Sequence, residues 1–105
     1  VEVKTLDALL KNNKRVDFLK IDTQGFEVDI LLGSTEILKK YKPKLLLEFW
    51  PYGLKNNGKD PLEINSILST YGYQVSQISS GGHLESYDFS HLEDLKENSI
   101  NLLAT

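Results

Sequence analysis

The sequence predicts an α/β fold, a layered sheet of mostly parallel strands with an antiparallel hairpin at its C-terminal end. Three observations carry that prediction. Short apolar, β-branched runs alternate with segments of helical periodicity, the pattern of strand–helix–strand units. The run Lys44 to Phe49 (KLLLEF) is apolar almost throughout, as in a strand covered on both faces near the centre of a parallel sheet. The last two strand-like segments, Tyr73 to Ile78 and Ile100 to Ala104, can pair antiparallel.

The elements follow in order. Val1 to Val3 read as the end of a strand. Thr5 caps a short helix with Asp7 in its first turn and Leu6, Leu9 and Leu10 as its apolar stripe; Asn12 and Asn13 stop it. Val16 to Ile21 (VDFLKI) is a short apolar strand, and Asp22-Thr23-Gln24-Gly25 is a turn, with Gly25 supplying backbone freedom. Phe26 to Leu32 is helical, with Phe26, Ile30 and Leu31 on one face. Gly33 breaks it, and Ser34 or Thr35 opens a second helix to Tyr41 with the stripe Ile37, Leu38 and Tyr41. Lys39 and Lys40 suit the negative end of its dipole, and Pro43 forbids continuation. Val16 to Phe49 is thus a strand–helix–strand unit whose crossover is expected to be right-handed. Trp50 to Lys59, rich in Asn and Gly, reads as a loop. Asp60 caps the next helix, Pro61 occupies its first turn, and Leu62, Ile64, Ile67 and Leu68 face inward up to Tyr71; Gly72 closes it. Tyr73 to Ile78 alternates as a strand, Ser79 to Gly82 bends, Phe89 to Lys96 makes a turn or two of helix, and Ile100 to Ala104 (INLLA) is the final strand.

Composition narrows the function classes. A chain of 105 residues is one small domain or part of a larger one, and its margin of stability is expected to be thin. Apolar content of 40% and charged content of 26% are those of a globular chain. A formal charge of -3 offers no basic face for nucleic acid. The absence of cysteine excludes disulfides, Cys-zinc sites and thiol nucleophiles. No apolar run approaches the roughly 18 residues of a membrane span, and no charged-then-apolar leader opens the sequence. No membrane partner is therefore expected, and the cytoplasm is the expected compartment. The opening at Val1 in mid-pattern suggests a piece of a longer protein.

Two segments then resemble a known family. TLDALL, followed by VDFLKIDTQGFEVDILLGSTEILKKYKPKLLLEFWP, is similar to the C-terminal part of FkbM-family methyltransferases. The matching residues are Thr5, Leu6 and Asp7; Lys20, Ile21 and Asp22 at a strand end; Gly25 and Glu27 opening a helix; Leu31 and Gly33 at a break; and Pro43 before an apolar strand ending in Glu48. The closing Asn101 to Thr105 (NLLAT) also resembles the end of the family's domain. Gln24 departs from the pattern, since many members carry Glu there. The resemblance implies an S-adenosylmethionine-dependent methyltransferase with the class I, Rossmann-like fold: a seven-stranded sheet, helices on both faces and an antiparallel final strand. This chain would supply strands four to seven, as the C-terminal half of the domain. The half that binds most of the S-adenosylmethionine would precede Val1, so the chain alone is expected to be inactive. The acceptor implied is a hydroxyl of a small molecule or a sugar.

Ligands of layered α/β sheets bind outside the carboxyl ends of the strands, which points to Asp22–Glu27 and Glu48–Tyr52. Asp22 and Glu48 are the candidate catalytic residues. Methyl transfer needs the acceptor oxygen held in line and its proton removed, which a carboxylate at Asp22 can do; the alternative is that Asp22 only caps the helix after it. An acid such as Glu48 at the end of a buried strand must be paired, hydrated or functional. Side by side, Asp22 and Glu48 would raise one pKa or share a divalent ion; a salt bridge to lysine is the plainer outcome. Gln24, Gly25, Glu27, Trp50 and Tyr52 are candidate substrate-binding residues. Glu27 equally suits the dipole of its own helix, and Trp50 and Tyr52 equally suit packing on a neighbouring helix. No metal ligand set is expected, because His83 and His91 lack ligand spacing.

Two further readings compete. The Lys-Ile-Asp strand also occurs in cyclic-dinucleotide phosphodiesterase barrels, which Gly33, Pro43 and the antiparallel-looking tail fit poorly. A non-catalytic α/β interaction or scaffold module is the alternative from another class. A half-domain would also leave an open sheet edge, with self-association as the expected consequence.

Overall fold

The computed structural model describes residues 5–10 and 15–105; the strand end expected at Val1 to Val3 and the helix stop at Asn12 and Asn13 lie outside them. Thr5 opens the first helix as its hydroxyl predicts. Its Oγ1 accepts from the Ala8 N–H at 3.1 Å, and α1 spans Leu6–Leu10.

Asp7, expected to serve the dipole of α1, also reaches across to another helix. α2 is Glu27–Leu32 and α3 is Thr35–Tyr41. The Asp7 carboxylate accepts from the backbone N–H groups of Glu36 and Ile37, each at 3.0 Å, and from the Thr35 hydroxyl at 3.3 Å. It thus caps α3 from 28 residues away. Ser34, one of the two expected caps, instead donates its hydroxyl to the Ile30 carbonyl at 2.6 Å. Asp7→Ala is expected to cost about 0.5–2 kcal/mol, seen in thermal melts as a drop of several degrees. Asp7→Asn keeps one acceptor oxygen and should lose less.

The sheet has five strands in the order β1-β2-β5-β3-β4. β1 (Phe18–Ile21) pairs parallel with β2 (Lys44–Phe49), and β2 pairs antiparallel with β5 (Ile100–Ala104). β5 pairs antiparallel with β3 (Val75–Ile78), and β3 pairs antiparallel with β4 (Leu84–Ser86). The mostly parallel sheet expected from sequence is therefore a mixed one. The reason is where the last strand goes: β5 inserts between β2 and β3 rather than closing a simple hairpin. Both its neighbours run opposite to it, so β1, β2 and β3 still point the same way. The bend at Ser79 to Gly82 is the turn between β3 and β4, closed by the Ser79 N–H on the His83 carbonyl at 2.9 Å. The short Phe89–Leu95 segment is a 3₁₀ helix.

β2 begins and ends where its apolar run does, but only one of its faces is dry. Leu45, Leu47 and Phe49 are 0–1% exposed, whereas Leu46 and Glu48 are half-buried. The expectation of cover on both faces is corrected. Ile21, Leu45, Leu47, Phe49, Leu102 and Ala104 form one layer of the core with Val28, Leu31, Leu38, Leu54, Ile64 and Leu68 from the helices. All of these strand positions share a face by register.

Helix boundaries explain the remaining differences. Phe26 precedes α2 at its N-cap and is 49% exposed, so Val28 joins Leu31 in the core in its place. α4 (Pro51–Asn56) replaces the expected Trp50–Lys59 loop, because Pro51 takes the first helical position. α5 is Leu62–Thr70, with the Asp60 carboxylate accepting from the Leu62 N–H at 3.0 Å. Leu62 itself is 45% exposed, and Ile64 and Leu68 carry the inward face. β1 starts at Phe18 rather than Val16, and β3 at Val75 rather than Tyr73. Tyr73 is instead an anchor: its buried hydroxyl donates to the Pro43 carbonyl at 2.6 Å. Burial pushes its pKa up to about 12.

Candidate functional site

Because β1 and β2 are adjacent and parallel, their carboxyl ends meet on one rim. The register pairs Ile21 with Leu47, which sets Asp22 and Glu48 next to each other one step beyond. Gln24 joins them. Its Nε2 donates to Asp22 Oδ1 and to Glu48 Oε1, each at 3.3 Å. One neutral amide thus bridges two carboxylates; a glutamate at this position would set a third negative charge there.

The turn that carries Gln24 is left-handed at two consecutive residues, with φ of 57° at Gln24 and 102° at Gly25. Gly25 also lies hard against α4. A Cβ there would fall 2.5 Å from Asn57 Nδ2 and 2.9 Å from the Gly53 carbonyl oxygen. Asn57 in turn donates to the Gly25 carbonyl at 3.2 Å. Gly53 is itself covered by the Trp50 ring, which a Cβ at Gly53 would meet at 2.1 Å. The Trp50 indole N–H donates to the Glu97 carbonyl at 2.9 Å, tying this lip to the segment leading into β5. Tyr52 stands outward at 40% exposure, its ring centroid 6.0 Å from that of Trp50. Trp50 is therefore mainly a packing residue, and Tyr52 is the aromatic that faces solvent.

Glu27 lies inside the turn rather than on the rim. It is 1% exposed. Its Oε2 accepts from the Gly25 N–H at 2.9 Å and the Thr23 hydroxyl at 3.1 Å, and its buried Oε1 has no partner. Burial pushes its pKa up, with the charge of Glu48 adding a little; hydrogen bonds from the backbone and Thr23 pull the other way. Its task is to hold the turn from beneath while Asp22 and Gln24 stay exposed above.

A sign follows for stability. The folded state keeps the Glu27 proton at pH values where the unfolded chain, near 4.5, has released it. Stability contributed by Glu27 is therefore fully present below 4.5 and falls as pH rises through the folded value. Urea melts across this range should show wild type losing ground to Glu27→Gln as pH rises from 4.5. Parallel curves would remove the proton from the account.

Asn101, which the sequence reading did not single out, belongs to the same rim. The β2–β5 register sets it opposite Glu48, and the β3–β5 register sets it opposite Ile78. Its signal in the sequence is a polar, exposed residue in the otherwise apolar strand INLLA. The histidines lie elsewhere in exposed segments: His83 ends the β3–β4 turn, and His91 is 3.6 Å from Asp88 and 3.7 Å from Asp94. Among the described residues no group of three or more His, Cys, Asp or Glu is placed to hold a metal ion. No helix among them is long and apolar enough to cross a membrane.

A family model described as the methyltransferase FkbM domain matches residues 1–75. That span includes the Asp22–Gly25 turn, Glu48, Trp50 and Tyr52, and stops at the first residue of β3. No curated protein and no solved structure gives a significant match.

Proposed function

The chain belongs to the FkbM methyltransferase domain family, and from that premise we propose that it forms the acceptor side of an S-adenosylmethionine-dependent O-methyltransferase. The observation that carries this reading is the Asp22–Glu48 pair, bridged by Gln24 at the shared carboxyl ends of β1 and β2. Ligands of open α/β sheets bind at such ends. The class I, Rossmann-like architecture is supported by three same-direction strands with an antiparallel last strand inserted among them. The half-buried second face of β2, and a β1 that pairs on one side only among the described residues, support a domain completed by further elements.

S-adenosylmethionine, when bound, supplies a methyl group on a positively charged sulfur. An acidic rim suits that charge. The space left by the absent Cβ of Gly25 is already taken by Asn57 and Gly53, so this turn does not cradle a cofactor. The residues present fit the acceptor side better. Asp22, exposed at its strand end, accepts the hydrogen of the acceptor hydroxyl and takes its proton as the new O–C bond forms. Glu48, steadied by the Gln24 amide, holds a second hydroxyl or the same one in line. Tyr52 flanks a ring-shaped acceptor, and Glu27 acts only through the turn it supports. The cytoplasm is the compartment this reading assumes.

The test is transfer of labelled methyl from S-adenosylmethionine by the full-length protein to hydroxyl-bearing small molecules and sugars. Label on oxygen is expected. Transfer confined to nitrogen or carbon acceptors would sink the O-methylation reading, and no transfer to any acceptor would sink the enzyme.

A further inference from the structure

We propose that the Gln24 side-chain amide stands where a divalent cation would otherwise join Asp22 to Glu48, and that the site orients its acceptor without a metal ion. This deepens the methyl-transfer reading and rests on it for the reaction, though not for the bridge. Two carboxylates set side by side repel each other unless a proton, a cation or hydrogen-bond donors lie between them. Lys55, Lys59 and Arg15 pair with Glu93, Asp29 and Asp17. Among the described residues, Asp22 and Glu48 have an amide between them and no ion pair. Gln24 is thus a positioning residue for the two acids.

The chemistry of the amide fixes its orientation. An amide NH₂ offers two hydrogens, so one group can serve both acids. Turned over, its oxygen would face two carboxylate oxygens with no donor among the three. Nε2 lies 3.3 Å from Asp22 Oδ1 and 3.3 Å from Glu48 Oε1, so neither acid is favoured. Mg²⁺ holds its oxygens at about 2.1 Å, so a cation in this place would need each acid about 1.2 Å nearer. The spacing is that of a donor bridge. The backbone sets its place: Gln24 has a φ of 57°, and Gly25 after it is held by Asn57 on its carbonyl and Glu27 on its N–H. Replacing Gln24 by Glu removes both donors and adds a third charge. A cation then relieves the repulsion, and the exposed Asp22 can close in on it.

The test compares full-length wild type, Gln24→Glu and Gln24→Met, each stripped of metal with EDTA. Free Mn²⁺ is followed by electron paramagnetic resonance, and methyl transfer by label from S-adenosylmethionine. Gln24→Glu should bind one Mn²⁺ more than wild type. Its transfer rate should fall about 10- to 100-fold in EDTA, as acids out of place would cause, and recover with Mn²⁺. Wild type should transfer equally fast in EDTA and in Mg²⁺. Gln24→Met, which keeps the length without the donors, should lose rate without losing its fold. Wild-type transfer that stops in EDTA and returns with Mg²⁺ would overturn the proposal and leave O-methylation standing. Equal Mn²⁺ binding by wild type and Gln24→Glu, or full rate in Gln24→Met, would overturn it as well. An extra Mn²⁺ in Gln24→Glu of a protein that transfers no methyl would support the bridge and sink the enzyme.

Discussion

Asp22→Asn is expected to lower the methyl-transfer kcat of the full-length protein by about 10²–10⁴-fold, the usual worth of a positioned general base. The substitution keeps the shape and leaves an oxygen to accept from Gln24, whose amide lies 3.3 Å from Asp22 Oδ1. It removes the proton acceptor. Asp22 is exposed, so the fold should be nearly indifferent, within about 0.5 kcal/mol. Loss of rate without loss of stability would assign Asp22 to the chemistry; it does not cap α2, whose N-cap is Phe26 with no side-chain cap bond. Glu48→Gln should cost less, since its proposed work is orientation. Because Gln24 links the two acids, the double variant should fall short of the product of the single effects. Unchanged kcat in Asp22→Asn would remove Asp22 from the mechanism.

Gly25→Ala is expected to be strongly destabilising. Two costs combine. A φ of 102° lies in the left-handed region, which a Cβ penalises by roughly 1–2 kcal/mol. The added methyl also meets Asn57 Nδ2 at 2.5 Å and the Gly53 carbonyl oxygen at 2.9 Å. The first can swing aside, but the second is backbone of α4, and overpacking of this kind costs about 1–3 kcal/mol. A total of about 2–5 kcal/mol is a large share of the 5–15 kcal/mol typical of a domain. Gly82→Ala provides the comparison. Its φ is 78° and a Cβ there meets nothing within 4 Å, so only the conformational cost applies. Chemical denaturation should place Gly25→Ala well below Gly82→Ala. Equal losses would mean that the approach of the turn to α4 contributes nothing.

What was legible in the sequence is what depends on neighbouring residues. KLLLEF sits between Pro43 and the Trp50-Pro51 pair, so β2 could be read to the residue, and its penultimate Glu48 with it. The adjacency of Asp22 and Glu48 followed from reading one strand–helix–strand unit correctly. Features set by distant partners were not legible. Nothing near Asp7 announces that it caps a helix 28 residues on. Glu27 looks like an ordinary first-turn acid, and only the path of the turn makes it 1% exposed. The insertion of β5 between β2 and β3 is a long-range pairing without a local signature. Two signals were present and underweighted. Pro51 marked a helix start inside a stretch that Asn and Gly made look like loop, and Asn101 interrupted an apolar strand.

A crystal structure of the full-length protein with S-adenosylhomocysteine tests the placement of the reaction most directly. The account predicts the sulfur on the rim formed by the carboxyl ends of β1 and β2, facing a space lined by the carboxylates of Asp22 and Glu48. A cofactor seated at the opposite rim, beside Phe18 and Lys44, would contradict it.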